Sequence, residues 1–181
     1  MRIIAGLAKG HSLKVPRDVA RPTTDRVRES LFGLLSAVLE GARVLDLYAG
    51  SGGLGLEALS RGAESCTFVD QHRGAAKTIQ ENLGKTGLSN GKVVTGDVAD
   101  FLKRERNSYD LIFADPPYPD GISDLAGDLV ALDGWSEWLS EDGFLIVERE
   151  SIGEAPPAPG VEIVKQKDYG RSRILIYRRA S

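Results

Sequence analysis

With 181 residues, 41% of them hydrophobic and 27% charged, the chain has the makings of one globular domain with a sizeable core, and intrinsic disorder is set aside. One cysteine and two histidines exclude a disulfide framework and a Cys/His metal cluster. The net charge of −3 is unevenly spread: residues 1–30 hold seven Lys/Arg against three Asp/Glu and residues 161–181 six against two, so two margins of +4 flank a middle of −11. A basic margin on an acidic body suits a protein that meets a polyanion through one face.

At the amino terminus, MRIIAGLAKGHSLKV carries too short an apolar run for a signal peptide, and no later stretch approaches the ~20 apolar residues of a membrane span. A reducing cytoplasm is therefore the expected location, with no membrane partner. Arg2–Val15 reads as a small β-hairpin with Gly6 and Gly10 near its turn. Thr24 is placed to cap a helix with Asp25 in its first turn, and Val27, Leu31, Leu34, Leu35 and Val38 form its apolar stripe, leaving Arg26 and Arg28 off it.

Five strand-like runs follow, Arg43–Tyr48, Ser65–Asp70, Lys92–Thr95, Tyr109–Ala114 and Gly143–Glu148, with helical stretches between them. Leu54, Leu56, Ala58 and Leu59 mark the first connection and Ala75, Ala76, Ile79 and Leu83 the second. Such alternation predicts right-handed βαβ units, an α/β fold with a mostly parallel, doubly wound sheet, and a ligand site at the carboxyl ends of the strands. SIGEAPPAPG at 151–160 is too rich in Pro and Gly for a crossover helix. After it, Val161–Lys167 and Arg173–Tyr177 read as an antiparallel hairpin around Asp168-Tyr169-Gly170.

VLDLYAGSGGLGLEAL, residues 44–59, sets a glycine-rich turn between a strand and a helix. Gly50, Gly52 and Gly55 satisfy the dinucleotide spacing GxGxxG, and Asp70 follows at the end of the next strand, so a dehydrogenase is one reading. Asp46 argues for another, because a carboxylate just before the loop would repel a pyrophosphate and attract the sulfonium and ammonium of S-adenosylmethionine. Asp70 suits ribose hydroxyls, and Asp97 suits an adenine amine with Val98 against the ring. The expected donor site comprises Asp46, Ala49, Gly50, Ser51, Gly52, Gly53, Asp70, Gln71, Asp97 and Val98. Its acids are spaced one per strand end, so no metal is expected.

FADPPYPDG, residues 113–121, ends the fourth run with a carboxylate, two prolines and an aromatic. Consecutive prolines fix two φ angles and remove two backbone donors. In isolation a Pro-rich turn explains the four residues equally well. Beside a methyl donor they acquire a use: the Asp115 carboxylate and Pro116 carbonyl can accept the two hydrogens of an exocyclic amine and localise its lone pair, Pro117 stiffens the turn, and Tyr118 can stack on the base. Cys66, at the start of a buried strand, reads as a core residue rather than the thiol that methylation of a pyrimidine carbon would need. His11 and His72 show no partner pattern.

Together RIIAG at 2–6, RPTTDRVRESLF at 21–32, LDLYAGSGGLGLEALSRGA at 45–63, ENL at 81–83 and FADPPYPDG at 113–121 resemble the bacterial RsmD-type methyltransferases, which modify a guanine 2-amino group in small-subunit (16S) ribosomal RNA. The glycine loop and DPPY are shared by many amino methyltransferases; RPTTDRVRESLF is the more specific signal. The resemblance implies a single class I (Rossmann-like) methyltransferase domain over 1–181, with 1–40 a hairpin and helix extension that docks RNA through Arg21, Arg26 and Arg28. It implies small-subunit ribosomal RNA as partner, naked or in an assembling 30S particle, without an obligatory protein partner. Ala5 in place of a glycine, a short link from Gly10 to Arg21 and a divergent tail after Glu148 depart from the pattern. A DNA or other RNA amino methyltransferase acting on adenine or cytosine, and a non-catalytic RNA-binding module, are the alternative readings.

Overall fold

A computed structural model describes residues 1–16, 23–117 and 124–181. Along the described chain run α1 (Asp25–Leu34), β1 (Arg43–Leu47), α2 (Gly53–Ser60), β2 (Ser65–Asp70), α3 (Arg73–Thr86), β3 (Gly91–Thr95) and α4 (Val98–Arg104). They are followed by β4 (Tyr109–Ala114), α5 (Leu125–Val130), α6 (Trp135–Trp138), β5 (Leu139–Glu150), β6 (Val161–Tyr169) and β7 (Ser172–Arg179). The strands form one sheet in the order β3-β2-β1-β4-β5-β7-β6. β1 to β5 run parallel to one another, and β7 runs antiparallel to both β5 and β6. The α/β class and the terminal hairpin expected from the sequence are present.

The continuous apolar runs that predicted strands do so because the sheet is covered on both faces. Successive side chains point to opposite sides. Val44, Phe68, Leu111, Phe113 and Ile146 enter one core with Leu31, Phe32, Leu56 and Ile79, while Leu45, Val69, Ile112 and Val147 enter the other with Val98, Leu102, Leu129 and Trp135. After β3 the chain crosses to the far side of β1, so the strand order reverses between β1 and β4. Their register, Asp46 beside Phe113 and Leu47 beside Ala114, brings the turns after the two strands side by side.

Thr24 caps α1 as expected, its side chain accepting from Val27 N–H. The stripe along this helix differs from the expected one. Val27, Leu31 and Leu35 are buried, but the helix stops at Leu34, which is 41% exposed, and Val38 is also exposed; Leu39 takes the inward place instead. A helical period cannot be carried past the last helical turn. β5 begins four residues earlier than expected, and the short α5 and α6 were not anticipated.

The amino-terminal hairpin has a single bridge, Arg2 to Ser12, and lies as a strap on α2 and α3. Its own ladder is three backbone bonds, Ile3 N–H to His11 C=O, Gly10 N–H to Ile3 C=O and Leu13 N–H to Met1 C=O, and side chains of those helices add to it. Glu57 accepts from Ile4 and Ala5 N–H at 2.8 and 3.1 Å, Ser60 Oγ accepts from Ala8 N–H at 2.9 Å, and Asn82 exchanges bonds with Lys14 N–H and C=O at 2.8 and 3.0 Å. Gly6 is required here: its φ is 83°, and a Cβ would overlap the Ser60 carbonyl.

Candidate active site

The turn after β1 is built by two carboxylates. Asp46, buried on β1, accepts from Gly55 N–H at 2.9 Å, and Asp70, the last residue of β2, accepts from Gly50 N–H at 2.9 Å and His72 N–H at 2.8 Å. Asn82 on α3 completes the frame by donating to Ser51 C=O at 2.9 Å. Gly52 sits at φ 79° as the N-cap of α2, a conformation that a side chain would strain. Tyr48, at φ 56°, is the one non-glycine residue among those described that is held in the left-handed region, immediately before this loop.

Of the ten residues expected to form the donor site, the structure brings all to the carboxyl ends of β1, β2 and β3. Ala49, Gly50, Ser51, Gly52 and Gly53 form the turn and the first residue of α2, with Ala49 N–H on Val69 C=O. Gln71 is exposed beside Asp70. Asp97 is exposed and caps α4 through Asp100 N–H at 3.0 Å, while Val98 is buried below it. Asp46 has a structural partner in the loop itself. It faces the loop backbone, and burial pushes its carboxyl up to about 8, opposed by the Gly55 N–H and aided by the charge of Asp70. A carboxyl so placed shapes the loop. His72 does have a partner, its Nδ1 lying 3.2 Å from Asp70 Oδ1.

The chemistry of the set fits S-adenosylmethionine better than a dinucleotide. The strand ends and turns after β1, β2 and β3 carry Asp70 and Asp97 and no Lys or Arg, the nearest cation in sequence being the exposed Arg73 that opens α3. A diphosphate would face these acids, whereas the donor carries no phosphate: its ribose hydroxyls can donate to Asp70 and its adenine amine to Asp97.

At the end of β4, Asp115 is partly buried, Pro116 is buried and Pro117 is exposed. The Asp115 carboxyl is raised well above the usual carboxylate range, by burial first and by the charge of Glu148 next, with the Thr23 hydroxyl opposing. Thr23 and Glu148 are site residues that the sequence reasoning missed. Glu148 sits at the carboxyl end of β5, and the available signal was that each parallel strand ends at or near an acid: Asp46, Asp70, Asp97, Asp115 and then Glu148. Thr23 belongs to RPTTDRVRESLF, a segment whose arginines carry its charge, and a lone hydroxyl beside them has no local signal. Tyr118 and Arg21 lie outside the described residues.

Of the remaining expected RNA contacts, Arg26 is exposed on α1. Arg28 is not available to RNA. It is 0% exposed, donating to Arg2 C=O at 2.6 Å and Asp25 at 2.7 Å, with Glu57 at 3.5 Å. Glu57 is itself fully buried under the strap, and this carboxylate draws the guanidinium inward.

Cys66 is a core residue, as expected: it is buried, and burial raises its thiol well above the ordinary value. No helix among the described residues is long and apolar enough to cross a membrane.

The model of the family described as Conserved hypothetical protein 95 matches residues 1–178. YlbH of Bacillus subtilis (strain 168) is 41% identical over 186 residues, covering 99% of each chain. Ribosomal RNA small subunit methyltransferase D of Escherichia coli (strain K12) is 35% identical over 181 residues, covering 99% of this chain and 90% of that one. The solved structure of yhhF from Escherichia coli superposes with a TM-score of 0.88 at 34% identity, covering 100% of this chain and 98% of the other. The sheet order, the glycine turn after β1 and the acids at successive strand ends are those of a class I methyltransferase fold, and the chain belongs to the ribosomal RNA small subunit methyltransferase D family.

Proposed function

We propose that the protein methylates the exocyclic 2-amino group of a guanine in small-subunit ribosomal RNA, with S-adenosylmethionine as donor. The observation that carries this reading is the adjacency of the β1 turn and the Asp115-Pro116 turn at the switch point of the sheet. The bound donor supplies an electrophilic methyl group. The protein's own groups do the rest. Asp70 and Asp97 hold the nucleoside, Asp46 and Asn82 keep the turn in shape, and Ala49, Gly50, Ser51, Gly52, Gly53, Gln71 and Val98 line it.

A guanine amine is a poor nucleophile because its lone pair is delocalised into the ring. Asp115 and the Pro116 carbonyl accept its two hydrogens and turn the lone pair toward the methyl group, while Pro117 fixes the carbonyl and Tyr118 stacks on the base. Residues 1–40 serve RNA docking, with Arg21 and Arg26 on phosphates; the reaction belongs in the cytoplasm, on naked RNA or an assembling 30S particle.

The test is incubation with labelled S-adenosylmethionine and separate pools of small-subunit RNA, large-subunit RNA and DNA, followed by nucleoside analysis. Label in small-subunit RNA as N2-methylguanine is expected. Label in DNA, or on adenine or cytosine, would replace this reading with that of another amino methyltransferase.

A further inference from the structure

Thr23 stands between two carboxylates, its hydroxyl oxygen 3.0 Å from Asp115 Oδ2 and 2.9 Å from Glu148 Oε2. The three residues come from the segment before α1, the end of β4 and the end of β5. A hydroxyl has one hydrogen, so it donates to one carboxylate at a time. Its second contact becomes a hydrogen bond when the other carboxyl carries a proton and donates to the Thr23 oxygen. The chain Asp115–Thr23–Glu148 is thus one bond short when both acids are ionised, and complete when the pair holds one proton. Among the described residues neither acid has an ion-pair partner. Asp46 on β1 is a further acid acting on Asp115, and the β7 residue opposite Glu148 is the buried, apolar Ile174.

Methylation of an amine leaves a nitrogen with one proton too many, and that proton must leave. We propose that Thr23 and Glu148 are positioning residues that orient Asp115 for this proton and carry it onward. The inference rests on the reading of Asp115 as the partner of the amine. Starting with both acids ionised, the nitrogen–hydrogen bond breaks with its electron pair staying on nitrogen, and an O–H bond forms at Asp115, which gives the pair the one proton that completes the chain. That hydrogen moves to the Thr23 oxygen as the Thr23 hydrogen moves to Glu148. Asp115 is restored as a carboxylate, and Glu148, 9% exposed, releases one proton to water before the next turnover.

Single-turnover rates with labelled donor and small-subunit RNA test this on Asp115→Asn, Glu148→Gln, Thr23→Val and Thr23→Ser, alongside donor Kd, RNA KM and melting temperature. Glu148→Gln and Thr23→Val should slow turnover by ~10- to 100-fold, below the contribution of a directly acting base. Donor Kd and RNA KM should stay unchanged, and Thr23→Ser should restore the rate. Wild-type rates in Glu148→Gln, or equal losses in the Ser and Val variants, overturn the inference. If Thr23→Val does not fold, Glu148→Gln decides alone. Retained turnover in Asp115→Asn overturns the underlying reading instead, and so separates the two failures.

Discussion

The Gly50 N–H donates to Asp70 Oδ2 at 2.9 Å, which fastens the turn after β1 to the last residue of β2. The same carboxylate accepts from His72 N–H at the start of α3. Asp70→Ala leaves a buried amide without its acceptor and removes the group proposed for the ribose. Donor affinity should fall by about 1–3 kcal/mol, the scale of a hydrogen bond to a charged group. Calorimetric titration with S-adenosylmethionine measures it, and unchanged affinity would move the ribose contact elsewhere.

The buried Asp46 ties stability to pH in an unusual direction for a carboxylate. Its carboxyl titrates at about 8 in the folded protein, against ~3.9 in an unfolded chain. The folded state therefore holds a proton that the unfolded state releases. This contribution is fully present below about pH 4 and is lost as pH rises through about 8. Asp115 adds in the same sense. Asp46→Asn keeps an acceptor for Gly55 N–H but not the titration, so its urea midpoint should fall less than that of the wild type across this window. Parallel pH dependences in the two proteins would reject the assignment.

Arg26 and Arg28, two residues apart, should behave oppositely. Arg28→Ala breaks a buried pair with Glu57 and should cost about 3–5 kcal/mol of stability. At a temperature where it remains folded, its RNA affinity should keep the wild-type salt dependence. Arg26→Ala should leave stability nearly unchanged and reduce the log-log salt slope by roughly 0.7–0.9 if it neutralises one phosphate. Urea denaturation and filter binding over a salt series separate the two.

Gly55 is where α2 approaches the sheet, since a methyl group there would meet Phe68 Cε1 and lie 2.5 Å from Cys66 Sγ. Gly55→Ala should cost about 1–3 kcal/mol through overpacking. Because Gly55 N–H is the partner of Asp46, the same change should weaken donor binding; a stable variant with wild-type affinity would show that the helix can shift without disturbing the turn.

What the sequence revealed followed from local physics. Apolar runs marked the strands, Thr24 announced its helix, and the glycine turn and DPP pointed to the ends of β1 and β4. What it hid depended on distant partners. A helical wheel assigns Arg28 to solvent because it sees charge, and nothing near position 28 indicates that Glu57 lies across from it. Glu57, in turn, looks like an exposed helix residue until the strap is laid on it. Thr23 and Glu148 are 125 residues apart; the sheet order sets Glu148 beside the end of β4, and the segment before α1 brings Thr23 to both.

The strap also constrains the order in which the chain can fold. Ala8 finds Ser60 across 52 residues and Lys14 finds Asn82 across 68, so the segment is synthesised well before its partners exist. Until α3 has emerged and docked, Ile3, Ala8 and Leu13, which end in the core, have no surface to cover. Closing such long loops is slow relative to forming local helices. During synthesis the segment is therefore an apolar sequence open to chaperones and to wrong pairing, and variants that weaken Glu57, Ser60 or Asn82 should lower the yield of folded protein more than their equilibrium stability alone would suggest.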